Sequence, residues 1–221
     1  MKRAALAAAL AVALAGCGSS SSTGSAGRAT LWVTRDRGAH VLYSTSVPAG
    51  ESVLQALDRV AKIKTRFGGR YLRGVDGVEE HGNRAWFYYV NGYLADRSAG
   101  DYRLRPGDVA WWDYRQWHDP AQDPVVLGAF PQPFLGGYDG TRHPTVVLST
   151  NPRAPAVARR LHGRVGRRAP AGANVVVLGA NATTITLRGT SPGSPVRLVF
   201  HGDPRTLLEP RPFRYRYGAA G

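Results

Sequence analysis

Aromatic side chains are concentrated in one stretch of the chain, where their spacing is typical of β-strands. Four of the five Trp residues lie between positions 86 and 117, together with one Phe and five Tyr. Successive side chains of a strand point to opposite faces, so one set of rings can fill a core. The other set must be exposed, or covered by the C-terminal region or by a ligand. Exposed rings suit flat conjugated molecules and sugars.

The residues predicted to form such a ligand-binding face are Trp86, Tyr88, Tyr93, Trp112 and Tyr114. The alternative use of these rings is packing in the core and between domains, which is the more common environment of aromatic residues. Sequence alone leaves both uses open.

The polar residues do not form a recognisable catalytic or metal-binding motif. None of the six His residues forms an HxH or HxxxH pair, and the chain has no Gly-x-Ser-x-Gly elbow or Gly-rich phosphate loop. Asp76, Glu79 and Glu80 lack the alternating spacing of a calcium loop. We therefore expect no enzymatic activity, no metal and no cofactor.

The single cysteine, Cys17, has the sequence context of a lipid attachment site. Positively charged residues 1–3 precede the apolar run of residues 4–14, and Leu14-Ala15-Gly16-Cys17 follows it. The pattern resembles the lipobox of bacterial lipoproteins, in which the Cys becomes the first mature residue and takes up a diacylglyceryl group. An ordinary secretory signal with a chance cysteine is the alternative.

This resemblance predicts a signal peptide over residues 1–17, a Ser/Gly tether over residues 18–28, and a location on the extracytoplasmic side of the cell membrane. A lone cysteine also excludes an internal disulfide framework and any site built from several cysteines.

Alternation and turn signals around the aromatic residues predict an α+β unit over residues 29–117. Arg35-Asp36-Arg37-Gly38 can close a hairpin between its first two strands, and Asn91-Gly92 is a turn dipeptide that follows the strand over residues 85–90. Ser52 and Gln55 have the spacing of a capping box, which predicts a helix that ends at Gly68-Gly69. The predicted strands are residues 29–34, 39–46, 71–75, 85–90 and 109–115.

The second half of the chain has a different character. Residues 118–144 are rich in Pro and Gly and are predicted to be an irregular connector. Residues 145–202 show a β-α-β-β pattern, which predicts either a small α/β region of its own or an extension of the first sheet. Residues 203–221 form an Arg/Pro-rich tail, expected to be loose except where its aromatic residues dock.

From Val47 to Trp117 the order of motifs resembles the transcobalamin-like C-terminal domain family, a set of small β-grasp-type domains. The matching segments are Gly50–Leu57, Gly74–Gly77, Trp86–Gly92, Tyr102–Asp108 and Trp111–Tyr114. The resemblance implies a β-grasp-like sheet with one packed helix over residues 29–117. It also implies that the ligand is a corrinoid-like or other flat molecule.

Basic residues are unevenly distributed along the chain. The net charge is +14, of which residues 1–117 contribute +6 (16 basic, 10 acidic) and residues 118–221 contribute +8 (13 basic, 5 acidic). On an exported lipoprotein this charge favours anionic lipid headgroups or wall polymers over nucleic acid. The alternative is a solvated Arg-rich surface that has no partner.

The sequence therefore predicts a membrane-anchored, extracytoplasmic module that binds a small molecule. The alternative is a surface scaffold that binds an envelope protein or an anionic cell-wall polymer through its Arg-rich C-terminal half.

Overall fold

The computed structural model describes residues 27–117, 123–179 and 184–218. The elements before residue 118 are β1 (Arg28–Arg35), β2 (His40–Pro48), α1 (Val53–Asp58), β3 (Ile63–Arg66), β4 (Tyr71–Val75), β5 (Val78–Glu79), β6 (Arg84–Val90), β7 (Tyr93–Leu94) and β8 (Val109–Gln116). Cys17 and the rest of the predicted signal and tether up to residue 26 lie outside the described residues. No helix among those described is long and apolar enough to cross a membrane.

The first five-stranded sheet has the order β2-β1-β8-β6-β7. β1 pairs antiparallel with β2 and parallel with β8, and β8 pairs antiparallel with β6. A separate three-stranded sheet has the order β3-β4-β5. The prediction of an α+β fold is confirmed. The predicted hairpin turns are also present, because Asp36 and Arg37 have φ of 55° and 58°, and Asn91 has φ of 52°.

The predicted capping box starts α1 as expected. Ser52 Oγ accepts a hydrogen bond from the Gln55 backbone at 3.1 Å, and Gln55 Oε1 accepts one from the Ser52 backbone at 2.9 Å. The predicted end of this helix at Gly68-Gly69 is wrong, because α1 ends at Asp58 and the chain then forms β3. The pairing of β3 with β4 supplies the backbone partners that a longer helix would have supplied.

The second part of the chain forms its own five-stranded sheet, in the order β10-β9-β11-β13-β12. Its elements are a 3₁₀ helix (Leu127–Ala129), α2 (Gln132–Leu135), β9 (Thr145–Leu148), α3 (Ala154–Arg160), β10 (Arg164–Val165), β11 (Asn174–Gly179), β12 (Thr184–Arg188), β13 (Arg197–His201) and a 3₁₀ helix (Thr206–Leu208). The first four strands in the order run parallel and β12 is antiparallel to β13. The sheet is separate from the first one and does not extend it.

The described part of the predicted irregular connector, residues 123–144, contains two short helices and is buried or partly buried as far as Tyr138. Leu127, Phe130 and Phe134 are at most 3% exposed and belong to the same core cluster as Leu57 and Val176. One continuous core therefore runs from α1 to the second sheet. The apolar side chains of this segment account for its burial, although its Pro and Gly content indicates a surface loop.

The C-terminal tail docks on the first sheet through its aromatic side chains. The Tyr215 ring lies 5.0 Å from the Trp32 ring, and the Tyr217 ring lies 5.0 Å from the Trp111 ring. Gly38 permits the approach, since a Cβ atom there would lie 2.1 Å from the carbonyl oxygen of Tyr215. The docking predicted for Tyr215 and Tyr217 is thus confirmed, and it covers one face of the sheet.

Candidate ligand-binding groove at the edge of the first sheet

The five aromatic residues predicted to form an exposed face are all buried. Their exposed fractions lie between 0 and 9%. The residues are Trp86, Tyr88, Tyr93, Trp112 and Tyr114. Alternation along β6 and β8 does separate the rings into two sets, as expected. The prediction that one set is exposed is wrong. The five predicted residues face the core that contains Leu57 of α1, and the opposite set is covered by the C-terminal tail.

The indole and phenol groups at one end of this set are held by strand β5. Trp86 Nε1 donates a hydrogen bond to the Val78 carbonyl at 3.0 Å, and the Tyr114 hydroxyl donates one to the Glu79 carbonyl at 2.8 Å. The two rings lie 5.2 Å apart. These contacts fix both side chains within the protein and leave their polar atoms satisfied.

The other members of the set are also fixed by the protein itself. The Tyr88 hydroxyl donates to the Arg97 carbonyl at 2.6 Å, and the Tyr93 hydroxyl donates to the Ser194 carbonyl at 2.9 Å. Burial raises the pKa of Tyr93 to about 12 and also raises the pKa of Tyr88. Trp112 Nε1 has no partner among the described residues. Tyr93, Trp112 and Tyr114 therefore have structural contacts, while Trp86 and Tyr88 also reach a groove.

Strand β6 has an edge that is only partly paired. Its whole length pairs with β8, but on the other side β7 pairs only with Tyr89 and Val90, and the Ala95 N–H donates to the Tyr88 carbonyl at 3.1 Å. In an antiparallel strand, the backbone N–H and C=O of every second residue point to the same side. The hydrogen bond from Trp117 N–H to the Asn83 carbonyl shows that the backbone groups of Asn83, and therefore of residues 85, 87 and 89, point towards β8. The N–H and C=O of Trp86 therefore point outwards, and neither has a partner in the part of the chain that is described.

A groove of about 340 Å³ runs along this edge. We call it the β6-edge groove. Its lining consists of Tyr71, Ala85, Trp86, Phe87, Tyr88, Leu94, Ala95 and Trp117. Trp117 is 52% exposed and Tyr71 is 42% exposed. Phe67 is 79% exposed, and its ring packs edge-on against Tyr71 at 6.3 Å. Large exposed aromatic side chains that lie together mark binding surfaces.

The polar group of this groove with the greatest potential for reactivity is the Tyr71 hydroxyl. It donates a hydrogen bond to Glu80 Oε1 at 2.5 Å. Burial, and then this hydrogen bond to the carboxylate, raise the pKa of Tyr71 to about 12. The phenol stays neutral at physiological pH, so it can contribute a ring face and a polar atom but no charge.

Tyr71 and Trp117 were not among the predicted site residues. Tyr71 begins a predicted strand and Trp117 lies two positions after another, and only the fold brings the two residues to the same edge of the sheet. For Trp117 the sequence did offer one signal of exposure. This residue directly follows the run Trp111–Gln116, so the alternation that buries every second residue of a strand does not extend to it. The described residues contain no group of three or more His, Asp or Glu side chains that could hold a metal ion.

Comparison with known proteins finds a family described as a domain of unknown function (DUF4430), which matches residues 50–116. No curated protein matches the chain. Among solved structures, haptocorrin in complex with Cbi is 16% identical with a TM-score of 0.35, over 42% of this chain and 26% of the haptocorrin chain. The chain thus spans about a quarter of the length of haptocorrin.

A second solved structure, of a "putative metal binding protein" from Ruminococcus gnavus ATCC 29149, is 14% identical with a TM-score of 0.33. It is matched over 42% of this chain and 99% of its own. The DUF4430 match itself runs from the capping box of α1 to the end of β8, and so contains most of the residues that line the β6-edge groove.

Proposed function

We propose that the protein is a membrane-anchored, extracytoplasmic module that binds a flat ligand in the β6-edge groove. The observation that carries the proposal is the exposure of Tyr71 and Trp117 beside the outward-facing backbone N–H and C=O of Trp86. Two ring faces supply apolar contact area, and the backbone groups supply one donor and one acceptor. Sites of this composition hold ligands by shape and by a few placed hydrogen bonds.

Binding without covalent chemistry fits the residues of the groove. The lining side chains are Tyr, Trp, Phe, Leu and Ala, none of which is an activated nucleophile or a general acid or base near neutral pH. The raised pKa of Tyr71 keeps its phenol protonated. The proposal accordingly assigns recognition to the groove and no catalytic step.

A corrinoid is the specific ligand that the resemblance to the transcobalamin-like family implies. Its conjugated ring could pack against Trp117 and Tyr71, and its peripheral amides could exchange hydrogen bonds with the Trp86 backbone. The ring system is larger than the groove volume of about 340 Å³, so one edge of it would enter while the remainder stays in solvent.

The membrane location rests on the lipobox that ends at Cys17 and on the Ser/Gly tether that follows it. Two acyl chains on one residue give stable anchoring, because each buried methylene contributes about 0.8 kcal/mol. The tether would separate the groove from the bilayer and leave it accessible to a ligand outside the cytoplasm.

The proposal is tested by equilibrium dialysis of the full chain against cobalamin, with the corrin absorbance as readout. Trp117→Ala and Tyr71→Ala should each weaken binding by about tenfold, because each removes one ring face worth roughly 1–2 kcal/mol. Leu42→Ala removes an exposed apolar side chain outside the groove and serves as the matched control. The absence of binding at high micromolar cobalamin would exclude the corrinoid, and equal losses in all three variants would exclude the groove.

A further inference from the structure

The register of the second sheet aligns three arginines in one row across its strands. Arg164 pairs with Val146, Val146 with Val175, Val175 with Arg197, and Arg197 with Arg188. Residues paired across strands project from the same face of a sheet, so these side chains share one face. Arg164, Arg188 and Arg197 are all exposed. We call these three residues the arginine row.

The opposite face of this sheet is covered by the protein. Val147, Val176 and Leu198 project to that side, are fully buried, and belong to the same core cluster as Val157 and Leu161 at α3. The arginine row therefore lies on the outer face, away from α3. Of the two valines between Arg164 and Arg197 in this row, Val146 is 1% exposed and Val175 is partly buried.

Arg188 and Arg197 oppose each other directly on neighbouring antiparallel strands. Like charges in this position destabilise a sheet unless something neutralises them. The ion pairs between described residues leave out all three members of the arginine row. Neither guanidinium of the opposed pair has a hydrogen bond or ring contact in that part of the chain. The sheet thus carries a concentrated positive charge that no carboxylate of the described residues balances.

The shape of the charged area is linear. The next row on the same face contains Leu148, Val177, Val199 and Thr186, none of which is charged. Strands lie about 4.8 Å apart, so the arginine row extends over roughly 19 Å from Arg164 to Arg188. A line of guanidinium groups across an uncharged sheet face matches an extended anionic chain better than it matches a broad anionic surface.

We propose that the outer face of the second sheet binds a linear polymer carrying phosphate groups, laid along the arginine row. The guanidinium group donates two parallel hydrogen bonds to a phosphate, which a single ammonium cannot do. A phosphate between Arg188 and Arg197 removes the repulsion between them. This function is separate from the proposed ligand in the β6-edge groove and does not depend on it.

The test is a titration of the full chain, carrying Cys17→Ser to prevent lipid attachment, with inorganic polyphosphate of medium chain length. The double variant Arg188→Gln/Arg197→Gln should lose about tenfold or more in affinity. Its affinity should also depend less on salt between about 50 mM and about 200 mM NaCl, because fewer counterions are released. The matched control is Arg159→Gln/Arg205→Gln, which removes the same charge from exposed positions outside the outer face. The control should stay within about twofold of the parent.

A second measurement separates binding from folding. Polyphosphate should raise the Tm of the parent chain and of the control, and should leave the Tm of Arg188→Gln/Arg197→Gln nearly unchanged. Without polyphosphate, this double variant should melt no earlier than the parent, because it loses a repulsion. Trp117→Ala should bind polyphosphate normally, which keeps this result independent of the groove.

Three outcomes would overturn the proposal. One is the absence of polyphosphate binding by the parent chain. Another is an equal loss in both double variants, which would indicate attraction to total charge only. The third is that the double variant Arg188→Gln/Arg197→Gln loses binding to phosphatidylglycerol vesicles but keeps its binding to polyphosphate. This result would indicate that the arginine row contacts a membrane.

Discussion

The two parts of the chain use their charges in opposite ways. Every ion pair of the described residues takes its cation from positions 37–105, including those formed with Asp123 and Asp139 of the second part. The thirteen arginines between Arg142 and Arg216 are all described, and none of them enters such a pair. Carboxylates therefore pair with part of the positive charge of the first part, three of these cations using Asp123 or Asp139 of the second part. The arginines of the second part have no carboxylate partner among the described residues.

The same contrast holds at the sheet edges. Both edge strands of the second sheet carry an exposed arginine, Arg164 in β10 and Arg188 in β12. Charged edge strands resist pairing with other chains. The partly paired edge of β6 has aromatic neighbours instead, among them the exposed Trp117. The first sheet is thus open to an apolar ligand at its edge, and the second sheet is open to anions on its outer face.

The largest expected effect concerns the place where the two parts meet. Tyr217 is 8% exposed, packs on Trp111, and donates a hydrogen bond to Asp113 Oδ2 at 2.9 Å. Tyr217→Ala should lower the free energy of unfolding by about 3–5 kcal/mol, because it leaves a cavity over the first sheet. Urea denaturation followed by Trp fluorescence measures the loss.

Tyr217→Phe is the matched control for this change. It keeps the ring and removes only the hydroxyl, and the Arg37 N–H still donates to Asp113 Oδ2 at 3.1 Å. The expected loss is about 1–2 kcal/mol. If Tyr217→Ala were as stable as Tyr217→Phe, the tail would not be part of the core.

A smaller effect should distinguish the paired charges of the first part from the unpaired charges of the second. The hydrogen bond from Arg59 lowers the pKa of Glu51 below its ordinary value. A lowered pKa adds stability above the unfolded-state pKa, and this stability is lost as the pH falls through the folded-state pKa. Glu51→Gln should therefore lower Tm by up to about 2 °C at neutral pH. It should leave Tm unchanged once the pH is below the folded-state pKa of Glu51.

Glu209→Gln provides the comparison from the second part, since Glu209 is exposed and has no ion pair among the described residues. Its Tm should equal that of the parent at both pH values. A loss in Glu209→Gln as large as that in Glu51→Gln would contradict the contrast between the two parts.

Local features of the fold could be predicted from the sequence because they depend on neighbouring residues. The capping box at Ser52, the turn at Asn91-Gly92 and the strand pattern of β6 each follow from a few adjacent positions. The burial of both aromatic faces could not be predicted. Alternation separates the rings of β8 into two sets, but the residue that covers Trp111 is Tyr217, which lies more than a hundred positions further along the chain.

The candidate groove depended on the fold in the same way. Tyr71 and Trp117 come from different elements, and their exposure follows from how β4 packs beside the edge of β6. The arginine row required the register of all five strands of the second sheet, whereas the sequence showed only an excess of arginine in that half. Composition alone predicted an anionic partner, and the strand register shows where the three arginines of the row align.

The measurement that tests the central claim most directly is hydrogen exchange at the Trp86 backbone amide, followed by NMR with and without saturating cobalamin. In the free protein this N–H has no partner among the described residues, so it should exchange much faster than the amides of Ala85 and Phe87, which face β8. The account predicts that cobalamin slows exchange at Trp86 and shifts the indole signal of Trp117. Exchange at Trp86 that stays fast at saturation, with protection elsewhere, would contradict the β6-edge groove as the binding site.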